Sequence, residues 1–111
     1  MEYLDQLKGI LAPGEQYPLP ELFKMEMLAL NERLLELEMA ASSEEREQFG
    51  QQVSGLMARH FLEVAEDIKV YARGKATPAQ VILLKEYYVK QKYCLRIIER
   101  LSTFASRDQV S

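Results

Sequence analysis

The chain is poor in the residues from which reactive sites are built. It has one cysteine, Cys94, one histidine, His60, and no tryptophan. A single cysteine makes no internal disulfide, so a reducing compartment, the cytoplasm, is the expected location. A zinc site would have to recruit carboxylates distant in sequence to complete its ligand set. No glycine-rich phosphate loop follows a strand, and no serine lies in a nucleophile motif. No apolar run approaches the ~20 residues of a membrane span. The N-terminus carries Glu2 and Asp5 and lacks a charged-then-apolar signal pattern. Basic charge is not in excess: Lys and Arg number 14 against 17 Asp and Glu, a net of −3. That balance gives no general reason to bind nucleic acid or an anionic membrane. These absences point away from an enzyme, a cofactor or a metal centre.

What the chain does have is helical periodicity, over a length of 111 residues that suits one domain. Phe23, Met27, Leu30, Leu34, Leu37 and Ala41 alternate steps of four and three, the spacing of one buried helix stripe. Phe49, Val53, Leu56, Met57, His60, Val64, Ile68 and Tyr71 form a second stripe. Leu84, Tyr87, Tyr88, Cys94, Leu95, Ile98, Leu101 and Ala105 form a third, with Gln91 its one polar member.

The boundaries are marked as clearly. Pro20 suits a first helical turn, with Glu21 where the dipole favours an acid. Ser42 and Glu45 have capping-box spacing, and so do Thr77 and Gln80, with Pro78 between them at the first helical position. Gly74 fits the residue after a helix C-terminus. The first helix is expected to end near Ala40 or Ala41, the second near Arg73 and the third near Ala105.

Short links force neighbouring helices antiparallel. The expected fold is all-α: an antiparallel up-down-up three-helix bundle over residues 20–106. A short N-terminal helical appendage and linker precede it over 1–19, and a frayed tail follows over 107–111. Acidic residues gather in the first helix and basic ones in the third, which fits their lying side by side.

Within this frame the remaining enzyme types fail on placement. A di-iron bundle needs glutamates paired with an inward histidine, which the first helix does not supply. A chorismate-mutase-like site needs inward basic residues. Lys90 and Arg100 turn outward, and Lys24 and Arg33 lie off the core stripe. His60, alone on an apolar face, reads as a core histidine. With helices two and three antiparallel it lies level with Gln91, and a hydrogen bond between the two, direct or through a water, is expected, since an unpaired buried polar group costs ~1–3 kcal/mol.

Met25, Leu28, Leu35 and Met39 fall outside the first helix's core stripe, as Ile82, Val89 and Tyr93 do on the third. Such residues either widen the contact within the bundle or meet a partner, which includes a second copy of the chain in a homodimer.

Two stretches carry a family resemblance. Phe23-Lys24-Met25-Glu26-Met27-Leu28-Ala29-Leu30-Asn31-Glu32-Arg33-Leu34 resembles the opening helix of the C-terminal domain of HscB-type iron–sulfur cluster co-chaperones. Lys85-Glu86-Tyr87-Tyr88 and the stretch from Lys92 to Leu101 are similar to its closing helix. The resemblance implies a non-enzymatic module that binds the cluster scaffold protein. In that family a separate J-domain, marked by His-Pro-Asp, stimulates a dedicated Hsp70; this sequence contains no His-Pro-Asp, so an Hsp70 would be reached only through a J-domain absent from it. The implied partner-binding residues are Lys24, Met25, Leu28, Ala29 and Glu32 on the first helix and Tyr93 on the third. Lys24 stands where the family has an apolar residue, and Ala29 where it has an acid. Counting along antiparallel helices places Tyr93 at the height of Met25 and Leu28, so that these three anchor one patch with Glu32 and Arg96 at its rim.

Overall fold

The computed structural model describes residues 6–39 and 42–110, with side chains as far as Thr103. Three long helices are present: α1 (Glu21–Met39), α2 (Ser43–Ala72) and α3 (Pro78–Val110). No strand occurs among the described residues. The arrangement is the expected up-down-up bundle. At ~1.5 Å per residue, the 33 residues of α3 span about 50 Å, matching the 51 Å long dimension of the molecule.

Local chemistry explains the helix ends. Ser42 accepts a hydrogen bond from the Glu45 amide at 3.2 Å. The Glu45 carboxylate faces Arg33 of α1 at 3.7 Å, pinning the α1–α2 corner. At the start of α3 the capping box is reciprocal: the Gln80 amide donates to Thr77 Oγ1, and the Thr77 amide to Gln80 Oε1. The Gln80 side chain also donates to Asp67 of α2 at 3.0 Å. Between them, α2 closes with a Schellman turn. Gly74 adopts φ +73°, its amide donates to the Tyr71 carbonyl, and that of Lys75 donates to Val70. Nothing comparable follows Ala105. With no glycine or proline after it, α3 runs past its expected end to Val110.

The buried residues of α1 are Phe23, Met27, Leu30, Leu34 and Leu37, as its stripe predicts; Ala41 lies outside the described residues. They join Phe49, Val53, Leu56, Met57, Cys94 and Ile97 in one cluster. Ile97 was not on the expected stripe of α3, and Tyr88, Leu95, Ile98 and Leu101 are only half-buried. The third helix is rotated toward α1 because it packs against both neighbours.

The N-terminal stretch is more than an appendage. Leu7 is fully buried and Ile10 nearly so, in a second cluster with Val64, Ile68, Leu84 and Tyr87. The reason is a mismatch of length. At 19 residues α1 is too short to cover α2 and α3, at 30 and 33. Beyond its first turn the longer pair would show an apolar side to water, and Leu7 and Ile10 fill that place. Gly9 and Gly14 turn the chain at φ +86° and +79°, positions that favour glycine. The linker then runs without regular structure to Pro20, tied by a 2.8 Å ion pair between Glu15 and Lys85.

The expected direct bond between His60 and Gln91 does not form. Gln91 is completely buried, and its Nε2 donates to the Met57 carbonyl at 3.1 Å and the Tyr87 hydroxyl at 3.2 Å. Met57 lies nearly one turn before His60, so the actual register is offset from the one that equal counting gives. His60 Nδ1 and Gln91 Oε1 are buried with no hydrogen-bond partner.

Candidate functional site

The six residues implicated by the resemblance fall into two groups. Lys24, Met25, Leu28, Ala29 and Glu32 are all exposed on α1, Met25 at 66% and Leu28 at 61%. Tyr93 stands 40% exposed on α3. The helices are neighbours at this height. The Tyr93 ring meets Phe23 edge-on at 6.3 Å, and Lys90 Nζ sits 5.4 Å from the same Phe23 ring.

Rotation about α1, at about 100° per residue, decides which side chains share a surface with Tyr93. Lys24 and Leu28 turn to the α3 flank. Met25, Ala29 and Glu32 turn toward the back of the helix, on an outer face continued by Glu36 and Met39. Around α1 outside its core stripe, large apolar residues mix with carboxylates: Leu22, Met25, Leu28, Leu35 and Met39 are exposed, as are Glu26, Glu32 and Glu36. The Phe23–Tyr93 ring contact sets α1 and α3 side by side at Tyr93, with Lys24 and Leu28 on the flank of α1 toward α3 and Met25, Ala29 and Glu32 behind it.

Tyr93 is the junction of three clefts. One, about 330 Å³, lies between the linker and α1, lined by Tyr17, Leu19, Phe23, Lys24 and Met27. A second, about 250 Å³, follows α1 and α3 past Asn31, Leu34, Arg96 and Arg100. A third, about 480 Å³, separates the linker from α3, with Leu11, Glu15, Tyr17, Tyr88, Lys92 and Arg96 among its walls. Met25, Ala29 and Glu32 line none of these three. Tyr17, Tyr88 and Lys92 were not among the expected binding residues, and Tyr88 was expected on the core stripe of α3. The available signal was an aromatic residue in a proline-bearing linker, which becomes meaningful only once the linker is known to lie along α3.

The groups that invite a catalytic reading are poorly placed for it. Cys94 is buried, and desolvation, reinforced by the Glu26 charge, pushes its thiol up to about 11, so it stays protonated and unreactive. Burial first, then the nearby Lys90 charge, lowers the pKa of His60. Its ring packs against Phe23 at 5.9 Å at the edge of a small cleft with Glu63, Glu86 and Lys90. No group of three or more metal-ligating side chains occurs among the described residues. Among the described residues no helix is long and apolar enough to cross a membrane. What the described surface presents is exposed apolar side chains, charge and aromatic rings.

No known protein family, curated protein or solved structure matches the chain.

Proposed function

We propose that the chain is a non-enzymatic protein-binding module of iron–sulfur cluster assembly, which holds the cluster scaffold protein through the outer face of α1 and Tyr93. The observation that carries this reading is the exposure of Met25 and Leu28 on a helix whose core stripe is already complete. The bundle does not need them, and burying each against a partner is worth roughly 1.5–3 kcal/mol. Glu32 and Lys24 supply polar edges to that contact, and Tyr93 an amphipathic ring of the kind enriched at binding hot spots. The helical resemblance given above points to the same residues. The module works in the reducing cytoplasm, and delivery to an Hsp70 requires a J-domain, whose His-Pro-Asp this sequence does not contain.

The test is calorimetric titration of the chain with a cluster scaffold protein. Met25→Ala, Leu28→Ala and Tyr93→Ala are each expected to weaken binding about tenfold or more, with helicity by circular dichroism unchanged. Absence of binding by the parent chain, or parent-like affinity in all three variants, refutes the reading. If the parent chain instead dimerises as its concentration rises and these substitutions abolish it, the α1 face serves a homodimer.

A further inference from the structure

The cleft between the linker and α3 is chemically distinct from the α1 face. Two cations line it, Lys92 and Arg96, one turn apart on α3. Neither forms an ion pair with a carboxylate among the described residues; both lie instead over tyrosine rings, Lys92 Nζ 5.1 Å from Tyr88 and the Arg96 guanidinium 5.4 Å from Tyr93. The carboxylate in the lining, Glu15, is already engaged by Lys85 Nζ at 2.8 Å and the Ala12 amide at 2.9 Å. On a chain of net charge −3, this cleft is a local concentration of uncompensated positive charge. Tyr17 and Leu11 form its opposite wall, held by the buried Leu7 and Ile10 and by the Glu15–Lys85 pair.

We propose that this cleft binds an acidic peptide segment carrying two carboxylates one residue apart, acidic–x–acidic. Lys92 and Arg96, four residues apart on a helix, are offset by about 6 Å along its axis. Alternate side chains of an extended peptide are about 6.6 Å apart on one face, so two such carboxylates meet the two cations together. The Arg96 guanidinium, 5.4 Å from the Tyr93 ring centroid, pairs with no carboxylate among the described residues, which leaves N–H groups for a bidentate carboxylate. The intervening residue turns to the other side of the peptide, toward Tyr17 and Leu11. The cleft's volume of about 480 Å³ lies within the usual range for a ligand site, ~300–1,000 Å³.

The test is fluorescence anisotropy with a labelled synthetic peptide containing Glu-Leu-Glu between glycine–serine flanks, at low salt. The parent chain is expected to bind it. A Gln-Leu-Gln peptide is expected to bind roughly tenfold more weakly, or worse, and raising the salt to weaken the acidic peptide further. The double variant Lys92→Glu/Arg96→Glu, both exposed positions, is expected to lose at least as much, while Lys69→Glu, remote on α2, binds as the parent does. Melting temperatures are measured alongside. The proposal is overturned if the parent does not bind the acidic peptide, or if the double variant binds it as tightly. It is also overturned if a single-stranded oligonucleotide competes equally well, or if the double variant abolishes self-association of the parent, since the occupant is then a nucleic acid or a second copy. Because Arg96 lies over Tyr93, the single variant Lys92→Glu is also titrated with the scaffold protein: lost peptide binding with parent-like scaffold binding supports the cleft as a separate site, and unchanged peptide binding overturns the proposal.

Discussion

Replacing Leu7 with alanine measures whether the N-terminal segment belongs to the core. Leu7 has no exposed surface and packs with Ile10, Val64, Ile68, Leu84 and Tyr87. Truncating a leucine so placed costs ~2–5 kcal/mol, the lower end applying where neighbours close the gap. A segment joined to the bundle through flexible glycines closes some of it, so about 3 kcal/mol is the working value. The total stability of a domain this size is ~5–15 kcal/mol. With m near 1.5 kcal/mol/M in urea, the midpoint falls by about 2 M. The assay is urea unfolding followed by circular dichroism, with Leu62→Ala, 73% exposed on α2, expected to change stability by no more than ~0.5 kcal/mol. A Leu7→Ala midpoint indistinguishable from that of Leu62→Ala would mean that the segment is a detachable appendage and that the mismatch of helix lengths is not what holds it.

Gly55→Ala is expected to stabilise the protein by about 1 kcal/mol, because nothing lies within 4 Å of the new methyl group; a fall in melting temperature contradicts this. Lowered in the folded state by burial and by Lys90, the pKa of His60 makes the histidine's contribution to stability present above its ordinary value of 6.5 and lost as pH falls through the folded pKa. Unfolding free energies at pH 7.5 and 5.5 are accordingly expected to differ less in His60→Gln than in the parent, and an equal difference refutes the assignment.

The three helices, their caps and the α1 core were legible because each rests on local chemistry: a stripe repeats every three or four residues, and Thr77, Pro78 and Gln80 act on atoms within one turn. What was not legible depends on quantities no local pattern contains. Leu7 reads as the apolar side of a weak amphipathic stretch until the unequal lengths of α1 and its neighbours are compared. Gln91 was paired with His60 by counting equal distances from a turn, yet the packed register brings Met57 there instead. The candidate site shows the same division. Met25 and Leu28 are recognisable as surplus on α1, and the Phe23–Tyr93 ring contact fits the expected neighbourhood of α1 and α3. Tyr17, Tyr88 and Lys92 acquire a role only when the linker is laid along α3, an arrangement fixed by Glu15 and Lys85, 70 residues apart.

That arrangement also orders the stability of the parts. The α2–α3 hairpin is closed by contacts near in sequence, among them the Schellman turn and the Gln80–Asp67 bond. The docking of Leu7 against Leu84 closes a loop spanning most of the chain, and such long closures are made late and released early. The N-terminal segment is thus the portion expected to open below the global unfolding free energy, seen as weaker hydrogen-exchange protection of the Ile10 amide than of amides in the middle of α3. When it opens, the cleft beside Lys92 and Arg96 loses its far wall while α1 stays packed through Phe23 and Leu34. Binding in that cleft would draw on the docking equilibrium of the segment, and binding on the face of Met25 and Leu28 would not.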